Sequence, residues 1–208
     1  MHRLREAVGN YYSDKLKRHG AAPRGVDWSS TASQFLRFAQ LVKICDFDRP
    51  FSLNDFGGGY GALLAYLADR HASAEVAYRG IDIVPSMIEA ARHRWRQVPR
   101  AEFTVGSGCG RVADYSIASG VFNVRLGWPL AAWDAYVESI LSELHASSRI
   151  GFGVNFMSPL ADEAAGENLY RAEPERWAGF CRDRLGCQVE RIAGYGLPEF
   201  TLLVRRRG

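Results

Sequence analysis

The chain is poor in the features that mark secreted, membrane and metal-binding proteins. It has only four cysteines among 208 residues, none in a C-x-x-C pair, and no histidine cluster accompanies them. No apolar run approaches the ~18 residues of a membrane span, and the first residues lack the apolar core of a signal peptide. We therefore expect free thiols in a reducing cytoplasm, no metal site and no membrane partner.

Strong positive charge is also missing. The net charge is only +3, and just three of the 26 basic residues are lysines. A nucleic-acid footprint is normally more basic and interleaves aromatic side chains. A nucleic-acid partner is therefore disfavoured, and an RNA-modifying or RNA-binding protein is kept as an alternative. Nothing in the composition indicates an oligomeric state.

The order of the predicted elements is typical of an α/β protein. Two amphipathic helices occupy the first 50 residues, and strands then alternate with helices. Strand four is expected at residues 116–122 and strand five at 150–156. Two alternating runs at 187–193 and 199–205, joined by a Gly/Pro turn, predict an antiparallel hairpin. We expect one domain over residues 1–208, with a helical N-terminal lid (1–50) and an α/β core (51–208).

A loop with glycine at every second position separates a predicted strand, Phe51–Phe56, from a predicted helix, Tyr60–Asp69. Glycine tolerates positive φ and, having no Cβ, lets a ligand approach the backbone. The free N–H groups at the start of the helix favour an anionic or carboxylate-bearing ligand. The sequence therefore predicts a ligand-binding loop. Its glycines are Gly57, Gly59 and Gly61.

The next predicted strand ends in Asp82, whose carboxylate can accept hydrogen bonds from the two hydroxyls of a ribose. This indicates an adenosine ligand, and both NAD and S-adenosylmethionine carry such a ribose. NAD is a candidate because Gly57, Gly59 and Ala62 satisfy the dinucleotide pattern G-x-G-x-x-G/A. Asp55 favours S-adenosylmethionine, since it could reach the ammonium group of a methionine moiety. A nicotinamide-dependent oxidoreductase is the less favoured alternative.

The loop resembles the D-x-G-x-G-x-G signature of class I S-adenosylmethionine-dependent methyltransferases. The whole chain is similar to a bacterial group within that family, which shares five segments. In this sequence they are Gly25–Trp28, Arg37–Phe38, Asp55–Gly61, Ala118–Val124 and Glu199–Arg205.

This resemblance implies a Rossmann-like, doubly wound, seven-stranded sheet with an antiparallel C-terminal hairpin and an N-terminal helical extension. It also implies S-adenosyl-L-methionine as cofactor and methyl transfer to a small-molecule O or N acceptor. The Asn/Asp-Pro-Pro-Tyr/Phe signature of amino methylation is absent, which counts against a DNA adenine or glutamine methyltransferase.

The resemblance also assigns cofactor contacts. Ile83 and Met87 would sandwich the adenine, Ser107 would replace the acidic residue that often meets the adenine amino group, and Arg37 would pair with the ligand carboxylate. The expected cofactor-binding residues are Arg37, Asp55, Phe56, Gly57, Gly59, Tyr60, Gly61, Asp82, Ile83, Met87, Ser107, Ser119 and Gly120.

On the acceptor side, Trp28 and Asn123 are the expected substrate-binding residues. Asp27, Tyr12 and Tyr170 are the candidate catalytic acids or bases, because they lie on segments able to close over the pocket. Residues 157–172 form a long polar connection after a strand, and we interpret them as part of the substrate wall.

Overall fold

One mixed sheet organises the computed structural model, which describes residues 1–160 and 168–207. Within those ranges the sheet has seven strands in the order β3-β2-β1-β4-β5-β7-β6. The strands are β1 (Phe51–Phe56), β2 (Val76–Asp82), β3 (Ala101–Val105), β4 (Ala113–Ala118), β5 (Ser148–Met157), β6 (Gln188–Ala193) and β7 (Glu199–Arg205).

Strands β1 to β5 pair in parallel, and β7 pairs antiparallel with both β5 and β6. The predicted α/β fold with an antiparallel C-terminal hairpin is therefore confirmed. The strand order reverses between β1 and β4, which is where open α/β sheets form ligand crevices.

Helices cover both faces of the sheet. The α-helices are α1 (His2–His19), α2 (Thr31–Leu41), α3 (Ala62–Arg70), α4 (Pro85–Arg94), α5 (Leu130–Ala146) and α6 (Pro174–Gly179). Short 3₁₀ turns occupy Pro23–Val26 and Val42–Ile44, and α6 continues as one π-helical turn, Phe180–Arg184. Ser30 and Ser33 form a reciprocal capping box that starts α2.

Two apolar clusters make up the core. One packs α1 and α5 against the sheet and contains the fully buried Trp133 and Trp177. The other packs α2, α3 and α4 on the sheet around Leu53 and Tyr78. Among the helices of residues 1–160 and 168–207, none combines the length and apolar character that a membrane span requires.

Some predicted boundaries were wrong. Strand β4 covers 113–118 rather than 116–122, because the chain turns at Gly120 with φ +72°. Helix α3 begins at Ala62, after Gly61 in the left-handed region (φ +80°). Of the predicted substrate wall, residues 161–167 lie outside the described residues.

Candidate active site

A cleft opens at the carboxyl edge of the sheet and encloses about 940 Å³, including the solvent at its mouth. Its floor is made by the loops that follow β1 to β4. Its roof is made by α1 and the 23–28 segment, with Val8, Tyr12, Val26 and Trp28 facing the space. Of the predicted site residues, those that line the cleft are Tyr12, Trp28, Asp55, Phe56, Gly57, Gly59, Tyr60, Asp82, Ile83, Met87, Ser107, Ser119 and Gly120.

The glycine loop is fixed to the end of β2 by its own amides. The N–H groups of Gly57 and Gly58 both donate to the carbonyl of Ile81, at 2.8 and 3.0 Å. The N–H of Gly59 donates to Asp82 Oδ2 at 2.9 Å. Gly57 and Gly59 have φ values of +72° and +55°, which side chains rarely tolerate. The loop therefore presents bare backbone to the cleft.

Asp82 organises the loops on either side of it. Besides Gly59, the N–H of Val84 donates to its other oxygen, Oδ1, at 2.9 Å. Burial raises the pKa of Asp82 to about 6, although these N–H donors oppose the shift. Each carboxylate oxygen has a second lone pair, so Asp82 can still accept hydrogen bonds from a ligand.

Asp55 supports the loop from inside the protein. Its side chain is only 2% exposed, and it accepts a hydrogen bond from the hydroxyl of Tyr78. Burial raises the pKa of Asp55 to about 7, and the charge of Asp82 adds to the shift. A Cβ added to Gly58 would lie 2.8 Å from Asp55 Oδ2, so a residue without a side chain is required there.

The roof is joined to the floor by polar and apolar contacts. The guanidinium of Arg5 donates to Ser107 Oγ at 3.2 Å, and Gly9 packs against Ile83. The phenol of Tyr12 lines the cleft, and burial raises its pKa well above the usual range. Tyr12 therefore keeps its proton at neutral pH.

Two of the predicted catalytic residues do not reach the cleft. Asp27 accepts a hydrogen bond from Tyr11 and pairs with Lys15, so its carboxylate is engaged by α1. Tyr170 donates to Asp134 at 2.9 Å and accepts from Trp177 Nε1 at 3.0 Å. Both side chains therefore lie outside the lining of the cleft, and each has a partner elsewhere in the protein.

Three other predicted residues also lie outside the lining of the cleft. The guanidinium of Arg37 forks onto Glu199, so a protein carboxylate takes the place expected for the ligand's. Gly61 faces Trp95, since an added Cβ would lie 2.5 Å from the indole nitrogen. Asn123 is 7% exposed, and its carbonyl oxygen accepts from the backbone N–H of Tyr170.

Several lining residues were missed by the sequence analysis. Gln34 and Phe38 face the cleft from α2, and Gln34 Oε1 accepts from the hydroxyl of Tyr60 at 3.3 Å. Their spacing of four residues on one helix places them on one face, which is the signal that could have found them. Val26 and Val121 lie over Gly59 and Gly57 respectively. No local pattern marks these two valines.

Across residues 1–160 and 168–207, no group of three or more histidine, cysteine, aspartate or glutamate side chains is arranged to hold a metal ion.

Comparison with known proteins identifies a relative of this chain by sequence. No protein-family model matches the chain. It is 41% identical over 166 residues to a protein of Mycobacterium tuberculosis (strain ATCC 25618 / H37Rv) named "Putative methyltransferase Rv1506c". That match covers 79% of this chain and 99% of the mycobacterial protein.

Solved structures share the fold at low identity. Magnesium protoporphyrin IX methyltransferase from Synechocystis PCC 6803, solved with bound SAH (S-adenosylhomocysteine), has a TM-score of 0.68 at 15% identity, with 98% of each chain covered. Human N-acetylserotonin methyltransferase, in complex with SAM (S-adenosylmethionine), has a TM-score of 0.66 at 16% identity, covering 98% of this chain and 59% of that one. Mitomycin 7-O-methyltransferase has a TM-score of 0.66 at 16% identity, covering 99% of this chain and 68% of that one.

The mycobacterial match is close enough, over enough of both chains, to show the family. The fold of the solved neighbours agrees with the seven-stranded sheet described above. The chain belongs to the same methyltransferase family as the mycobacterial protein, and it has the fold of the class I S-adenosylmethionine-dependent methyltransferases.

Proposed function

We propose that the chain binds S-adenosyl-L-methionine in the cleft and transfers its methyl group to an uncharged small-molecule O or N acceptor. The observation that carries the proposal is the bare glycine loop fixed to Asp82, a carboxylate with lone pairs to spare at the cleft edge. In this arrangement the ribose hydroxyls donate to Asp82 and the methionine moiety lies along Gly57–Gly59.

The remaining cofactor contacts follow from this placement. Ile83 and Met87 offer apolar surface to the adenine, and Ser107 lies on the loop after β3 beside them. The N-terminus of α3 favours the carboxylate of the methionine moiety. Aromatic faces at Tyr12 and Tyr60 attract the sulfonium charge.

The acceptor is proposed to occupy the end of the cleft between the 23–28 segment and the turn after β4. The groups facing this end are neutral, namely Tyr12, Trp28, Gln34, Phe38, Ser119 and Val121. An apolar wall with few polar groups suits an uncharged acceptor. The three solved neighbours are named for magnesium protoporphyrin IX, N-acetylserotonin and mitomycin, which supports a small-molecule acceptor.

Methyl transfer of this kind depends mainly on alignment and the exclusion of water, because the sulfonium already activates the carbon. Tyr12 holds its proton, so we assign it hydrogen-bond donation to the acceptor rather than proton removal. We further propose that residues 1–50 act as the lid that encloses the reactants. The four cysteines are unpaired, which supports a reducing cytoplasm as the setting.

Calorimetric titration tests the cofactor assignment. We expect adenosylhomocysteine and S-adenosylmethionine to bind in the micromolar range and NAD to show no heat. Binding of NAD without adenosylhomocysteine would overturn the proposal and restore the oxidoreductase alternative.

The acceptor class is tested with S-adenosylmethionine labelled in its methyl group. The enzyme is incubated separately with the low-mass fraction of a bacterial extract and with total RNA from the same cells. We expect label in the low-mass fraction only. Label that enters RNA alone, and whose transfer falls steeply with salt, would instead support an RNA methyltransferase.

A further inference from the structure

A buried chain of hydrogen bonds runs beside the cleft and is centred on Glu199, the first residue of β7. Its oxygens accept from Arg37 Nε at 3.0 and 2.9 Å, and from Arg37 Nη2. Its Oε2 also accepts from Asn155 Nδ2 at 2.8 Å. Arg37, Glu199 and Asn155 are 7%, 4% and 0% exposed, and none of the three lines the cleft.

Both ends of this series of hydrogen bonds contact residues that line the cleft. The guanidinium carbon of Arg37 lies 3.8 Å from the centroid of the Trp28 ring, and Asn155 Oδ1 accepts from the N–H of Gly120 at 2.8 Å. Trp28 packs directly on Gly120, since a Cβ added there would lie 2.3 Å from Trp28 Cζ2. The five residues therefore form a closed ring.

The members of the ring come from distant parts of the sequence. Arg37 and Glu199 are 162 residues apart, and Asn155 and Glu199 are 44 apart. The ring thus joins the segment before α2, α2 itself, the turn after β4, β5 and β7. An ion pair so buried adds little net stability, because desolvation offsets the attraction between the charges. The ion pair therefore matters more for the positions of the residues it joins than for the free energy of unfolding.

We propose that Glu199 is a positioning residue that sets the shape of the acceptor wall. Through Arg37 it fixes the plane of the Trp28 indole, and through Asn155 it fixes the backbone of Gly120. The inference rests on the proposed function, in which Trp28 and Gly120 border the acceptor. Alignment of the acceptor then depends on a carboxylate that touches neither reactant.

The bonding pattern explains why a carboxylate is needed. Arg37 and the Asn155 amide both present N–H donors to Glu199, and an ionised carboxylate is acceptor-only. In Glu199→Gln one donor faces an NH₂ group, and Arg37 loses its counter-charge. Arg37→Lys keeps the charge but loses the flat, two-nitrogen fork and the close contact of the guanidinium with the Trp28 ring.

The first test uses protein labelled with 5-fluorotryptophan and fluorine NMR. The chain has five tryptophans, and Trp28→Phe identifies the Trp28 signal by its loss. We expect Glu199→Gln and Arg37→Lys to shift and broaden that signal while the other four stay in place. Glu190→Gln is the matched control, because Glu190 lies on the same hairpin, 3.7 Å from Arg205, and is exposed.

A second readout follows the other arm of the ring. Asn155→Ala and Glu199→Gln should speed hydrogen exchange of the Gly120 amide by about tenfold or more, because it loses its acceptor or that acceptor's orientation. Arg37→Lys preserves an ion pair with Glu199 and is expected to fold. It therefore keeps the proposal testable if Glu199→Gln fails to fold. An unchanged Trp28 signal in folded Arg37→Lys would overturn the proposal.

Function is measured with the same Arg37→Lys variant. Transfer of labelled methyl to the low-mass extract, at saturating S-adenosylmethionine, should fall about tenfold, while the Kd for adenosylhomocysteine stays within about threefold. An equal loss of cofactor affinity would make the ring part of the cofactor site and overturn the inference. If the parent protein binds no adenosylhomocysteine, the proposed function fails, whereas the fluorine and exchange readouts still decide the positioning role.

Discussion

The hydroxyl of Tyr78 donates a hydrogen bond to the carboxylate of Asp55 inside the protein, at the base of the glycine loop. Tyr78 lies on β2, and Asp55 lies near the end of the neighbouring β1. Burial raises the pKa of Asp55 to about 7, while the Tyr78 hydrogen bond opposes the rise. Asp55 therefore gives up its proton well above the pH range usual for an aspartate.

Tyr78→Phe should destabilise the protein by about 1–3 kcal/mol, because it leaves a buried carboxylate without its donor. Chemical denaturation measures the free energy of unfolding. Tyr66→Phe is the matched control, since Tyr66 is also buried, on α3, and its hydroxyl has no hydrogen-bond partner within residues 1–160 and 168–207. Equal losses in the two variants would show that the Tyr78–Asp55 bond adds no stability.

Asp55→Asn should change how stability depends on pH. The pKa of Asp55 is about 7 in the folded protein, against about 3.9 in an unfolded chain, so folding favours the protonated form. That contribution is complete below the unfolded pKa and is lost as pH rises through the folded pKa. Asparagine does not titrate. The free energy of unfolding of the parent, relative to the variant, should therefore fall by roughly 3 kcal/mol between pH 4.5 and 8. Urea unfolding at several pH values measures it, and a constant difference would contradict the prediction.

Asp82→Ala should weaken the binding of adenosylhomocysteine by about 10–150-fold through the loss of one or two charge-assisted hydrogen bonds to the ribose. In the parent, affinity should decline as pH falls through about 6, the pKa of Asp82, because protonation removes acceptor capacity. Calorimetry at pH 5 and 8 measures both effects. Asp14→Ala, at an exposed position on α1, should bind like the parent. An affinity equal to the parent's would show that Asp82 does not bind the cofactor and only accepts hydrogen bonds from the N–H groups of Gly59 and Val84.

Gly59→Val should abolish cofactor binding while the fold persists. A valine would occupy the ligand's space, and its Cβ would lie 3.4 Å from Val26 Cγ1. Gly127→Val is the matched control, because Gly127 also has a positive φ, of +73°, yet a Cβ added there would have nothing within 4 Å. Both variants are strained, but only Gly127→Val should gain thermal stability from adenosylhomocysteine. A ligand-induced rise in the melting temperature of Gly59→Val equal to the parent's would show that the glycine loop is not part of the cofactor site.

Local signals were enough to predict the glycine-loop end of the cleft. The bounds of β1, the glycine loop and the position of Asp82 all follow from patterns shorter than about ten residues, as hydrophobic alternation and turn chemistry usually do. Strand β4 starts earlier than predicted because Asp114, a polar residue, is stabilised inside the sheet by Ser52 and Arg149. Those partners are 62 and 35 residues away, and the sequence does not show the pairing.

Two predicted site residues lie outside the cleft because side chains from other elements engage them. Arg37 has the chemistry to bind a ligand carboxylate, but Glu199 neutralises it from the last strand. Tyr170 has the chemistry of an acid or base, but Asp134 and Trp177 hold its hydroxyl in the core. In both cases no local pattern in the sequence marks the partner.

The ion pair between Arg37 and Glu199 also has a consequence for biosynthesis. The glycine loop and Asp82 are translated well before β7, whereas Arg37 must wait for the final strand to gain its carboxylate. A domain generally folds as a unit, so the growing chain cannot hold Arg37 against Trp28 through this ion pair until β7 has been made. A product truncated before β7 would therefore carry Arg37 without the carboxylate that engages it.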